Sequence, residues 1–304
     1  MTKSKLLFIP LDYHVSAQQD LFNAFCEGYD TMYYTTLHQA IGFMPEYIYV
    51  QSGAIKAERL LALKQKTGAF IFQWTGDCRD WVLPEVIDYK DICDATFLAC
   101  GLSQKDMYEK ILGHPVFYLQ HGVSPWNFKN VQCELSNKKT VFIGNAYNQF
   151  SGAVERNELC KFLSSKLNTF EVIGSGFNLP YYNNHRTIPF NDTFDIYNNS
   201  YIGVSSSIYN DKAGYWSNRM MDIMASGTCC LTRYVPFMDK LYNDMEHCVF
   251  FNTHDEAFEK IEMLMSNPEL RNRIALNGQE HVKKFHTLSY RVKEMTDELL
   301  KLKK

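Results

Sequence analysis

The 304 residues are 46% apolar and 21% charged, the balance of an ordinary globular chain with a sizeable core, and their number exceeds the usual size of one domain. A net charge of −3 gives no overall basic field, which argues against a general affinity for nucleic acid or anionic membrane and leaves room only for a local basic groove. Nine cysteines, with no C-x-x-C pair and with Cys229 and Cys230 adjacent in an apolar run, argue against a zinc site or disulfide framework and for reduced, buried thiols in a cytoplasmic protein.

Short apolar runs alternate with helical patterns, the grammar of parallel α/β units. Leu6–Pro10 reads as a first strand, too short for a signal-peptide core, and residues 17–26 as the helix after it. Strands are expected at 47–50, 69–73, 95–99 and 116–119, with helices at 57–66 and 104–111. The polar stretch 124–139 reads as a linker. Strands at 140–143, 170–173, 201–204 and 229–231 follow, with helices at 154–167 and 218–226. The pattern restarts after the linker, so two similar α/β domains are expected. No stretch has the length of a membrane span. Thr253-His-Asp-Glu256 reads as a capping box, Asn267-Pro268 as a second helix start, and 287–302 as a last amphipathic helix.

The segment from Lys212 to Thr232 carries the most chemistry. A helix beginning near Asn218 turns free N–H groups and its positive dipole end toward an anion such as a diphosphate. Ser217 and Asn218 can cap that helix or donate to phosphate, and Arg219 offers a forked, permanently charged donor. Asp222, one turn on, can accept from ribose hydroxyls beside those donors. Gly214 permits close backbone approach, and Gly227 marks the helix end. Taken alone, the same residues also read as plain caps and solvated charges. Ile173-Gly-Ser-Gly176 lacks the third glycine of a dinucleotide fingerprint, because position 179 is Leu179, and it reads as a loop.

The run YWSNRMMDIMASGTCCLT (215–232) resembles the donor-site block of the group-1 glycosyltransferases, especially the branch typified by spore-maturation-type proteins. Three further stretches resemble that family in the right order: YLQHGVSPWNF (118–128), VFIGNAYNQFSGAVER (141–156) and the tail from VFFNTHDEAFEKI onward with its His-Thr. The resemblance implies a GT-B architecture, two Rossmann-like domains facing across a cleft. The boundaries would be 1–128 for an acceptor domain and 129–286 for a nucleotide-sugar domain, with 287–304 a helix packing back on the first. By position it implies that Arg219 holds the diphosphate and that Asp222, where the family commonly has Glu, binds the ribose. Gly144 and Asn145 would supply donors near the phosphates, with Arg156 a second cation. The family's second Glu is replaced by Gly214, so retaining or inverting stereochemistry does not follow.

The chain has no Asp-x-Asp pair, in keeping with a metal-independent mechanism that uses helix dipoles and cationic side chains and needs no cofactor. Proton transfer from an acceptor calls for a group on a first-domain loop. Asp12, His14, Asp77 and His121 all stand near strand ends. Asp77 and His14 are the preferred catalytic candidates, although a turn-capping or buried structural role fits each as well.

The expected partner is a nucleoside-diphosphate-sugar. The acceptor is open among glycan, protein, metabolite and, as a specialised case, a modified DNA base. Two alternatives share the architecture: a non-catalytic nucleotide-sugar or carbohydrate-binding module, and a sugar-nucleotide epimerase.

Overall fold

A computed structural model describes residues 3–12, 16–132, 134, 139–177, 179 and 188–303. In chain order the first elements are β1 (Lys5–Ile9), α1 (Ser16–Gly28), β2 (Asp30–Tyr33), α2 (Leu37–Phe43), β3 (Tyr47–Val50), α3 (Ala57–Thr67), β4 (Phe70–Thr75), α4 (Pro84–Ile87), β5 (Ala95–Leu98), α5 (Lys105–Leu112) and β6 (Val116–Tyr118). They are followed by β7 (Thr140–Ile143), α6 (Ser151–Lys166), β8 (Phe170–Ile173), α7 (Phe190–Asn198), β9 (Ile202–Ser205), α8 (Arg219–Ala225), β10 (Cys229–Arg233), β11 (Val249–Phe251), α9 (His254–Ser266), α10 (Pro268–Phe285) and α11 (Leu288–Leu302). The chain forms two compact units, Met1–Ser124 with Leu288–Lys304, and Pro125–Thr287.

In the first unit six parallel strands lie in the order β2-β1-β3-β4-β5-β6. Side chains alternate across a strand. Thus Leu6 and Phe8 of β1 enter one core layer with α1 and α11, while Leu7 and Ile9 enter the opposite layer with α2 and α3. Both faces are covered, which is why β1 reads as an unbroken apolar run. Leu288, Val292, Met295 and Leu299 bury one stripe of α11 in the first layer, and Tyr29 Oη bonds Thr296 Oγ1 at 2.8 Å to fix its position. Each fully buried Leu or Phe in such a layer contributes about 2 kcal/mol.

The second unit is a five-stranded parallel sheet, β11-β10-β9-β7-β8. Leu159 and Leu163 of α6, with Ile261 and Leu264 of α9, pack on Phe142, Val172, Val204 and Leu231. On its other side α8 lies against β9 and β10. The helix starts expected near the tail are seated as their side chains dictate. Thr253 Oγ1 accepts from Glu256 N at 3.1 Å, and Asn267 Oδ1 accepts from Leu270 N at 3.0 Å.

Several elements differ from the sequence expectation. The helix expected at 218–226 is the seven-residue α8, with Asn218 as a preceding residue whose side chain makes no cap bond. The helix expected to begin at 154 starts at Ser151, because Phe150 can enter in extended conformation and the next residues are small. The elements β2, β11, α2, α4 and α7 carried no clear signal: β2 is a half-exposed edge strand, and the others are short.

Candidate functional site

The second sheet reverses direction between β7 and β9. From β7 the chain moves outward to β8, then returns to the other side of β7 to form β9. Ligands of open parallel sheets bind outside the carboxyl ends of the strands at such a reversal. Two connections border the crevice: the loop 144–150 after β7 and the long segment 206–218 after β9.

The first wall is built by close backbone contact. Gly144 N donates to Ile173 O at 2.9 Å and Ala146 N to Ser175 O at 2.8 Å, so the loop continues the ladder beyond the strands. Gly174 makes this possible. Its φ is +150°, and a Cβ there would stand 1.8 Å from Gly144 O. The Gly-Ser-Gly run that failed as a dinucleotide fingerprint is therefore the support for this loop. Asn145 Oδ1 accepts from Ser175 N at 3.0 Å and Ser175 Oγ at 2.9 Å, which leaves the amide nitrogen of an exposed residue for other partners. The expected backbone donor at Gly144 is already engaged by Ile173.

Two arginines hold the crevice. Arg156 is 2% exposed. Its Nη2 donates to Asn145 O at 2.5 Å, and its Nε is buried without a hydrogen-bond partner. Arg219 bridges the walls: Nε donates to Ile143 O after β7, and Nη1 donates to Ser206 O after β9 at 3.0 Å. Nη2 is left beside Gly144, where a Cβ would stand 2.4 Å from it. Both guanidinium groups flank the Phe142 ring, Arg219 at 4.6 Å and Arg156 at 5.9 Å from its centroid. Burial, and after it the Arg219 charge, push Arg156 down to about 10. Among the described residues neither arginine forms a salt bridge. Like charges converging without a counter-ion create a field that an anion relieves.

The second wall carries the remaining expected donors. Ser217 N donates to Ser207 Oγ at 2.9 Å, and Ser217 Oγ accepts from Arg219 N at 3.4 Å. Asn218 is exposed. Ser206 Oγ is buried without a partner, a second orphaned polar atom at this crevice. Asp222 is buried on α8 and forms no salt bridge among the described residues. Burial pushes its carboxyl up to about 7, with Arg219 pulling the other way. Gly144, Asn145 and Ser217 thus lie at one sheet edge with Arg219 and Asp222 on the first turn of α8, and Arg156 reaches the same loop from the first turns of α6.

Sequence reading missed the residues that join the walls. Glu155, next to Arg156 in the first turns of α6, accepts from Arg233 Nε at 2.6 Å and from Asn210 Nδ2 at 2.9 Å. An acid near a helix start reads as a dipole complement, so nothing local marked it.

In the first unit, Asp77 follows β4, is exposed, and lies 3.7 Å from Arg79 Nη2. His121 occupies the same sheet edge. Its ring packs on Trp74 at 5.5 Å and against Gly76, where a Cβ would stand 2.2 Å from Cε1. Burial and the Arg291 charge push its imidazole down to about 4, against the pull of Asp77. His14 lies outside the described residues. Among the described residues no group of three His, Cys, Asp or Glu side chains is placed to hold a metal ion, and no helix is long and apolar enough to cross a membrane.

Residues 154–297 match a family model described as glycosyl transferase-like. No curated protein sequence matches the chain. Among solved structures, HepE of Anabaena, solved with UDP and glucose, superposes with a TM-score of 0.67 at 9% identity, over 98% of this chain and 100% of that one. Sucrose-phosphate synthase from Thermosynechococcus elongatus gives 0.63 at 9% identity over 98% and 99%. A glycosyltransferase from Rickettsia africae gives 0.62 at 11% over 100% and 99%. At these identities the structures speak for the GT-B fold of two parallel α/β units, and the family match lends that fold its chemistry. Fold and family match together make the chain a glycosyltransferase, with Arg156, Arg219 and Asp222 all inside the matched region.

Proposed function

We propose that the protein moves a sugar from a nucleoside-diphosphate-sugar to an acceptor without a metal ion, its second unit holding the donor and its first the acceptor. The observation that carries this reading is the pair of guanidinium groups, Arg156 and Arg219, converging unpaired on the reversal between β7 and β9. A diphosphate there would meet Arg219 Nη2, the Asn145 amide and Ser217, within the field of the buried Arg156. The same charges would stabilise the departing diphosphate, the task a metal performs in other glycosyltransferases. Asp222 would accept the ribose hydroxyls. UDP is the nucleotide to test first, because the HepE structures contain UDP. The Ser-Asn-Arg block favours the spore-maturation-like branch of the group-1 enzymes. The free thiols, seven of the eight described being buried, favour a cytoplasmic setting.

The test is thermal denaturation with UDP, GDP, ADP, CMP and TDP, followed by mass analysis of the products formed from the matching sugar nucleotides. A ligand at a hundred times its Kd adds about 2.7 kcal/mol of stability. UDP is expected to raise Tm, and Arg219→Ala to remove most of that rise. No shift with any of the five nucleotides would overturn the reading. An isomerised donor formed without acceptor would move the assignment to an epimerase.

A further inference from the structure

We propose that Glu155 is a positioning residue for the donor site, fixing the segment 206–218 against the loop 144–150. The proposal rests on the donor-site reading above and adds to it the element that sets the crevice. The first turns of α6 reach both walls. On one side Arg156 Nη2 holds Asn145 O at 2.5 Å. On the other, Gly152 N donates to Ile208 O at 3.0 Å, and Glu155 takes the Asn210 amide at 2.9 Å.

From Asn210 the bonding runs to the residues that would meet phosphate. Its Oδ1 accepts from Ser207 N at 3.2 Å, and Ser207 Oγ accepts from Ser217 N at 2.9 Å. Ser206, next to Ser207, receives Arg219 Nη1 at 3.0 Å. The second carboxylate oxygen of Glu155 is held by Arg233 Nε at 2.6 Å, and Arg233 Nη1 bonds Tyr234 O at 3.0 Å just beyond β10. The carboxylate is therefore tied to the end of a sheet strand. It fixes which way the Asn210 amide turns, because it can only accept and so selects Nδ2. Oδ1 is then left for Ser207. Without Glu155 that selection is lost, and the irregular segment between β9 and α8 keeps fewer ties to α6. A misplacement of about 1 Å at such a site can cost on the order of a hundredfold.

The experiment is calorimetric titration of the full chain with UDP, at a temperature where circular dichroism shows every variant folded. Glu155→Ala is expected to weaken UDP binding about tenfold or more. Glu155→Leu combined with Arg233→Leu leaves no unpaired charge, so it guards against a merely destabilised Arg233, and it is expected to stay as weak as Glu155→Ala. Glu155→Gln combined with Arg233→Leu removes the competing Arg233 donor, so the one remaining oxygen can accept from Asn210, and this variant is expected to recover most of the affinity lost in Glu155→Leu with Arg233→Leu. UDP binding within about twofold of wild type in both Glu155→Ala and the double variant would overturn the proposal. So would Glu155→Gln with Arg233→Leu as weak as Glu155→Leu with Arg233→Leu, which would refute the link through Asn210. Wild-type protein that binds none of UDP, GDP, ADP, CMP and TDP would instead overturn the donor-site reading, and this proposal with it.

Discussion

The two sheets reverse their strand order at matching points, between β1 and β3 in the first unit and between β7 and β9 in the second, but they furnish those points differently. After β7 and β9 come an exposed Asn145, the serines 206, 207 and 217, and two arginines with no salt bridge among the described residues. After β1 and β3 the described residues are Pro10–Asp12 and Gln51–Lys56, with Asp12 and Lys56 as their charged side chains. There the polar groups turn inward. Ser52 Oγ donates to the buried Gln73 Oε1 at 2.8 Å, Gln73 Nε2 donates to Thr96 Oγ1 at 3.1 Å, and Thr96 Oγ1 meets His114 Nε2 at 2.8 Å. Among the described residues no orphaned buried polar side-chain atom lies in the connections after β1 and β3, whereas Arg156 Nε and Ser206 Oγ are left unsatisfied at the other reversal. The parallel sheet supplies a crevice in both cases, and the side chains make the two chemically different.

Removing a cation should break this contrast most strongly. Arg156→Met is expected to lower UDP affinity roughly thirtyfold, since a unit charge about 8 Å away at an effective dielectric of about 20 contributes about 2 kcal/mol. Asp12→Asn, the corresponding edit in the first unit, is expected to leave UDP affinity unchanged. Titration calorimetry on both variants separates a local field from the general charge of the chain. Equal losses in the two would place the anion elsewhere.

What the sequence conveyed follows the range over which its signals act. Strands buried on both faces, such as β1, β3, β5 and β7, appear as short apolar runs, and the caps Thr253 and Asn267 bond within three residues of themselves. Edge strand β2 is only half-buried and alternates with polar residues, so its pattern is faint. The sequence block around Arg219 pointed to an anion, yet its bond to Ile143 joins residues 76 apart and the Glu155–Arg233 pair joins residues 78 apart. No window of sequence contains either contact. For the same reason Arg156 was legible as a cation, while its burial beneath Asn145 was not.

Asp222 sharpens the comparison through pH. Burial pushes it up to about 7, so its protonated form is favoured on folding. Ribose hydroxyls donate best to the ionised carboxylate, so UDP affinity should rise as pH rises through about 7. Between pH 6 and 8 the ionised fraction grows up to about tenfold, which bounds the effect. Asp222→Asn is expected to bind UDP more weakly and to lose this rise, leaving only the titration of the nucleotide itself. A wild-type profile that matches Asp222→Asn across this range would remove Asp222 from the ribose.

His121 gives the smallest effect and tests the first unit by itself. Its folded imidazole is pushed down to about 4 from an ordinary 6.5, so between those values the unfolded chain binds the extra proton. The contribution to stability is complete above pH 6.5 and is lost as pH falls toward 4, at no more than about 1.4 kcal/mol per pH unit. Asp222 acts with the opposite sign, because its raised carboxyl favours the fold at low pH and that contribution is lost as pH rises toward 7. The difference in Tm between wild type and His121→Gln isolates the histidine from that opposing slope. His121→Gln should lose less stability than wild type on going from pH 7 to pH 5, while its thermal shift with UDP at pH 7 stays the same. Parallel Tm curves would mean that the ring packed between Trp74 and Gly76 takes up its proton as readily in the folded chain as in the unfolded one.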